Sequence, residues 1–134
     1  MRDRTRGLLD TSVLVAFESI GAGALPDEVA VAAISLAELA AGAHAASGHA
    51  ERARRQDRLQ RVEAAFAPLP FDANAARAYG RVYAATAAAG RKPRGRRAVD
   101  LLIAATAISA QLPLYTRNAR DFAGLQELLV IVEV

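Results

Sequence analysis

Apolar positions fall into short runs separated by longer stretches of helical spacing, and that alternation predicts strands joined by helices. Arg6 to Leu9 is a short run closed by Asp10, after which Val13, Leu14 and Phe17 recur at helical spacing from Thr11 to Ile20, with Gly21-Ala22-Gly23 as the stop. Pro26 opens a second unit, in which Val29 to Ile34 reads as a buried strand and the following helix starts at Ser35 and ends near Gly48. Leu59, Val62 and Phe66 mark the apolar face of a third helix between Ala50 and Ala67. Its other face carries Arg54, Arg58 and Arg61 beside Glu51 and Asp57, and opposite charges four apart describe a solvated surface. Pro68 to Phe71 is a short extended piece and Asp72 an N-cap. Ala75, Ala76, Tyr79, Val82, Tyr83 and Thr86 then form the inward stripe of a helix ending at Gly90. Ala98 to Ala107 is an almost wholly apolar helix, Leu112 to Thr116 a strand, Asn118 to Phe122 a single turn, and Leu128 to Val132 the closing strand. Strands separated by helices give an α/β chain with a parallel, doubly wound sheet.

Composition narrows this picture. A chain of 134 residues, 53% hydrophobic, makes one domain, and the absence of cysteine excludes a disulfide framework or thiolate metal site and fits a reducing compartment. Three arginines lead the chain, but Leu8-Leu9 meets Asp10 at once and leaves no signal-peptide core. The stretch from Val29 to Ala46 is interrupted by Ser35, Glu38 and His44 and falls short of a spanning helix, so a soluble, cytoplasmic protein is expected. Net charge is +3, with sixteen arginines against the single Lys92, a bias that suits phosphate binding but also follows from a GC-rich genome.

The candidate chemistry lies in four acids, Asp10, Glu38, Asp100 and Asp121, each near a point where an apolar run gives way to a helix start. Taken singly, each has a structural explanation. Ser35-Leu36-Ala37-Glu38 reads as a capping box, Asp10 or its neighbours as a cap for the first helix, and Asn118 as a cap with Asp121 three residues on. Asp100 is the exception, because a carboxylate inside an apolar helix needs a cation, a partner or a wet cleft. In open parallel sheets the working crevice lies beyond the carboxyl ends of the strands, where Asp10, Glu38 and Asp121 would emerge. Carboxylates about 4 Å apart repel by roughly 1 to 4 kcal/mol, so a cluster without a cation takes up protons. Hard oxygen ligands favour Mg²⁺ or Mn²⁺, and an open, hydrated ion beside acids suits phosphodiester hydrolysis. Arg91, Lys92, Arg94, Arg96 and Arg97 stand directly before the Asp100 helix, where they would grip phosphates. Ser12, Thr116 and Asn118 are supporting polar residues, while His44 and His49 lack metal-ligand spacing to another histidine.

The blocks Leu8-Leu9-Asp10-Thr11-Ser12-Val13-Leu14-Val15, Ser35-Leu36-Ala37-Glu38-Leu39, Asp100 to Ala107 and Leu114 to Phe122 resemble the PIN domain, in the family's order and over nearly the whole chain. The short length looks like the VapC toxins of VapBC operons. The resemblance implies one PIN domain over residues 1–134, a three-layer α/β/α fold around a central parallel sheet of about five short strands. It implies an Mg²⁺-dependent endoribonuclease, with Mn²⁺ able to substitute, that cleaves structured transfer or ribosomal RNA. By analogy Asp10 and Asp100 are the main metal ligands, Glu38 ligates or activates water, and Asp121 beside Thr116 and Asn118 completes the pocket through bound waters. It also implies a homodimer, and a VapB-type antitoxin whose C-terminal segment enters the acidic groove. The arginine-rich loop before Asp100 departs from the more mixed sequence of many relatives. The alternative is a catalytically inactive RNA-binding PIN module, expected to lack one or more of the acids. A phosphoacceptor enzyme with Asp10 as nucleophile is disfavoured, because no second aspartate follows two residues on.

Overall fold

The computed structural model describes residues 4–134, so Arg2, one of the three leading arginines, lies outside it. Strand β1 (Arg6–Leu9) runs into a short helix α1 (Thr11–Val15), and β2 (Glu28–Val31) into α2 (Ala33–Ala45) and α3 (His49–Ala65). Two further helices, α4 (Ala73–Ala88) and α5 (Arg96–Ser109), precede β3 (Leu114–Thr116) and β4 (Ile131–Glu133). Among the described residues the sheet has four strands, all parallel, in the order β2-β1-β3-β4.

Successive side chains of a strand point to opposite faces, and this alternation divides the core into two layers. Leu8 and Leu114 join α4 and α5 through Val82, Leu101, Ile103 and Phe122. Leu9, Val31 and Tyr115 face the other way, towards Val13, Leu39, Leu59 and Val62 of α1, α2 and α3. The result is the expected helix-sheet-helix sandwich. The strands at its centre are packed closely: a Cβ at Gly7 would lie 2.3 Å from Tyr115 Cε1, so only glycine lets that ring cover β1.

Chain order places the functional crevice. After β1 the chain turns towards β2, whereas after β3 it turns the other way to β4, so the carboxyl ends of the adjacent β1 and β3 open onto a topological switch point. Asp10 and Thr116 stand there, with Asp10 N–H donating to Tyr115 O at 2.9 Å.

Several boundaries differ from the pattern-based expectation. The extended piece at Leu69 meets Ala32 in one parallel bridge, so the fifth strand is only a rudiment. That bridge also moves the start of α2. Ala33 N–H donates to Leu69 O at 2.8 Å, which satisfies a free amide of the first turn from a neighbouring backbone, and the helix begins two residues before Ser35. Helix α1 stops at Val15; in the segment expected to continue it to Ile20, Phe17–Ser19 forms a 3₁₀ turn, and a second, Ala22–Ala24, overlaps the expected stop. On α4, Ala75, Ala78, Val82 and Thr86 are buried at helical spacing, but Ala76 and Tyr83 lie off that stripe and are exposed. Tyr83 instead meets Tyr79 along the helix surface, the two rings tilted with centroids 6.3 Å apart. Asp72 caps α4 as expected, accepting from Ala75 N–H at 2.9 Å, and Glu51 with Arg55 and Asp57 with Arg61 form the expected surface pairs. No helix of the described residues is long and apolar enough to cross a membrane.

Candidate active site

Asp10 follows β1 directly and caps α1, yet it does more than cap. Only 5% exposed, its Oδ1 accepts from Val13 N–H at 3.2 Å and from Ser12 Oγ at 2.5 Å, while its Oδ2 accepts from Thr116 Oγ1 at 2.7 Å. The carboxylate therefore ties the end of β1 to the end of β3. Ser12 Oγ accepts in turn from Arg117 N–H at 3.2 Å, and Thr116 Oγ1 from Asn118 N–H at 3.1 Å, which fixes the loop after β3.

That loop presents Asp121 from the 3₁₀ turn Ala119–Phe122. Asn118 caps the turn through Arg120 N–H, and its amide Nδ2 donates to Asp121 Oδ1 at 3.3 Å. Glu133 of β4 accepts from Ala119 N–H at 2.9 Å and holds the same turn from beneath.

Glu38 arrives from α2 in a different way from the capping box that the sequence suggests. Because the helix starts at Ala33, Ser35 is a buried interior residue and α2 has no side-chain cap. Glu38 is thereby free to face α1, where Thr11 Oγ1 donates to its Oε1; the same hydroxyl meets Ser35 Oγ at 3.1 Å. Thr11 is a site residue that the sequence pattern alone does not single out, its only signal being its place next to Asp10.

Asp100 lies in the first turns of α5, half-buried. Burial pushes its carboxyl up to about 7, and the negative charges of Asp121, Glu38 and Asp10 push in the same direction. Among the described residues the opposing charge is that of Arg97, one turn earlier. The charges of three acids from three other segments thus reach Asp100. The four acids do not form a closed cage: no group of three or more His, Asp or Glu side chains among the described residues is arranged to hold a metal ion by itself. A hydrated ion that takes one or two carboxylates and keeps its waters fits such an open set of hard oxygens.

Basic side chains line both approaches. Arg91 donates to the carbonyl of Arg120, so the loop before α5 is pinned to the turn that carries Asp121. Lys92 and Arg94 are exposed on that loop and Arg96 at the first position of α5, and Arg117 and Arg120, outside the sequence-based set, are exposed after β3. A groove of about 590 Å³ lies elsewhere, between α1 and α3. Leu14, Val15, Phe17, Val62 and Phe66 line it, with Arg58 and Arg61 at the rim, and none of the four acids borders it.

The PIN domain family model matches residues 7–128. The chain belongs to the PIN domain family. It is 42% identical over 122 residues to Ribonuclease VapC5 of Mycobacterium tuberculosis, a match covering 89% of this chain and 87% of that one. It is 30% identical over 132 residues to Ribonuclease VapC of Rickettsia bellii, covering 92% and 93%. The structure of VapBC-5, a member of the VapBC family of toxin-antitoxin systems from Mycobacterium tuberculosis, superposes with a TM-score of 0.84 at 39% identity, over 97% of this chain and 99% of that chain. In this PIN domain the switch point of the sheet and the meeting place of the acids are the same crevice.

Proposed function

We propose that this PIN domain is the toxin of a type II toxin-antitoxin pair, an Mg²⁺-dependent endoribonuclease that cleaves structured transfer or ribosomal RNA in the cytoplasm. The observation that supports the reading is that Asp100, its pKa raised to about 7 mainly by burial, also feels the negative charges of Asp121, Glu38 and Asp10. Asp10 and Asp100 would hold the metal, with Glu38 and Asp121 ligating it directly or through water. The donor set is all hard oxygen, which suits Mg²⁺ or Mn²⁺. When bound, such an ion polarises a phosphoryl oxygen and supplies a water of lowered pKa.

The chain's own side chains do the rest. Ser12 and Thr116 orient the two oxygens of Asp10, Thr11 aims Glu38, and Asn118 aims Asp121. The arginines on either side of the crevice attract and align the RNA strand. A VapB-type antitoxin restrains the free homodimeric toxin, placing its C-terminal segment in the acidic crevice. The reading is supported by the VapC ribonucleases among the relatives and by the VapBC complex among the similar structures.

The deciding experiment maps new RNA 5′ ends in total cellular RNA after brief induction of this chain and of Asp100→Asn. Discrete ends in transfer or ribosomal RNA, present only with the unaltered chain, are expected; the same ends with both would overturn the proposal. The basic loop makes a separate prediction. Replacing Arg94 and Arg96 with Gln removes two phosphate contacts, and the slope of log affinity against log salt should become shallower by about 1.4 for single-stranded RNA. Titrations at several salt concentrations check this, and an unchanged slope assigns the loop to another task.

A further inference from the structure

The hydroxyls that donate to Asp10 are themselves held from behind. Thr116 Oγ1 donates to Asp10 Oδ2 and accepts from Asn118 N–H, while Ser12 Oγ donates to Asp10 Oδ1 and accepts from Arg117 N–H. Each hydroxyl has a single proton, so a donor behind it settles which way that proton points. Thr11, the hydroxyl that meets Glu38, has no backbone amide in that place among the described residues. It has Ser35 instead, whose Oγ lies 3.1 Å from Thr11 Oγ1.

Proton count sets the direction of this pair. An ionised carboxylate only accepts, and a hydrogen bond to it is roughly twice as strong as one between neutral groups, so the Thr11 proton goes to Glu38 Oε1. The Ser35 proton is then left for Thr11 Oγ1. A helical serine or threonine turned away from solvent commonly returns its hydroxyl to a carbonyl of the preceding turn, as Thr106 does to Leu102 O at 2.9 Å. At Ser35 those carbonyls are engaged by amides: Val31 O accepts from Leu69 N–H at 2.8 Å, and Ala32 O from Ser35 N–H at 3.0 Å. Ser35 is fully buried, and among the described residues Thr11 is the partner its hydroxyl has. Ser35 and Glu38, three apart on α2, share a face of the helix, which lets one hydroxyl from α1 reach both.

We propose that Ser35 is a positioning residue for Glu38 and acts through Thr11: Ser35 Oγ donates to Thr11 Oγ1, which donates to Glu38 Oε1, so that one carboxylate oxygen is fixed and Oε2, without a hydrogen-bond partner among the described residues, is left for a cation or its water. The proposal rests on the ribonuclease reading above. Neither hydroxyl gives up its proton. Each bond of such a chain polarises the next, and a carboxylate already fixed at one oxygen loses less freedom when it takes a ligand at the other.

The test combines Thr11→Val, which keeps the shape of the side chain and removes its hydroxyl, with Ser35→Ala, singly and together. Mn²⁺ binding in the absence of RNA is measured by calorimetry, cleavage of a defined RNA by single-turnover kinetics, and folding by circular dichroism. Thr11→Val should weaken Mn²⁺ binding by about 10-fold, as for loss of a group that orients a metal ligand, and slow cleavage at limiting Mn²⁺ to match. Ser35→Ala should weaken binding by about fivefold, the factor that one neutral hydrogen bond carries. Because Ser35 acts only through Thr11, adding Ser35→Ala to Thr11→Val should change neither binding nor rate further. Thr11→Ser, which restores the hydroxyl, should restore both.

A mere tie between α1 and α2 predicts something else: the variants lose stability, and the folded protein binds Mn²⁺ as before. That result would overturn the role of Ser35, as would effects of the two substitutions that multiply in the double variant, or Ser35→Ala binding and cutting as well as the unaltered protein. Ser35→Ala decides the matter alone if Thr11→Val melts early, since its hydroxyl touches none of the four acids. An unaltered chain that cuts no RNA removes the ribonuclease reading instead, while the Mn²⁺ measurements still decide the role of Ser35.

Discussion

Asp100→Asn is expected to reduce RNA cleavage by about a hundred-fold or more while leaving the protein folded. The substitution keeps the shape of the side chain and removes a negative charge from the proposed cation site. Losing a metal ligand forfeits several kcal/mol of transition-state stabilisation, and each 1.36 kcal/mol is a factor of ten in rate. Chelator added to the unaltered protein should produce a loss of the same order. Single-turnover cleavage of one RNA substrate, with circular dichroism on the same samples, checks both. The structural alternative makes the opposite forecast: if Asp100 serves only α5, the variant keeps its cleavage and loses stability. Undiminished cutting by Asp100→Asn would end the assignment of the acids.

The same residue gives the largest pH effect expected of the ion-free protein. Asp100 holds its proton up to about pH 7 in the fold, whereas an unfolded aspartate releases it near pH 4. Between these values the native state binds a proton that the unfolded chain has lost, so stability falls as pH rises. The contribution is fully present below pH 4 and gone once the pH has passed 7. Asp100 is half-exposed, and with allowance for solvent screening the loss is about 2 kcal/mol. Denaturant unfolding between pH 4 and 8 in chelator should show this slope, and Asp100→Asn should flatten it and be the more stable form at pH 8. Mg²⁺ should stabilise the unaltered protein more at pH 8 than at pH 5, since binding favours the charged carboxylate. Equal slopes for the two proteins would contradict a proton held at this site.

Much of this arrangement is legible in the sequence because it depends on periodicity. Alternating apolar runs and helical spacings give the order of elements, and the parallel sheet follows from strands separated by helices. The topological rule then locates Asp10 and the loop after Thr116. Asp100 declares itself through its cost in an apolar helix, and its raised pKa is that cost expressed in the fold. What stays hidden depends on contacts between distant segments. The start of α2 is set by the Leu69 carbonyl, so Ser35 and Glu38 do not close the box that their spacing suggests. Thr11 and Glu133 act on residues 27 and 14 positions away, which no local pattern encodes. Tyr83 is misread for a simpler reason: one residue of error in helical phase turns a side chain by about 100°, enough to move it from core to surface.

The hydrogen bonds of Asp10 separate two ways of disarming this molecule. Its carboxylate fastens the first helix and bridges two strands, so losing it silences the crevice and loosens the scaffold together. Losing Asp100 instead removes a charge that the ion-free scaffold bears at a penalty. Survivors selected under forced expression should therefore divide by abundance: those altered at Asp10 leave little soluble protein, while those altered at Asp100 accumulate as inert, well-formed copies able to occupy the natural inhibitor.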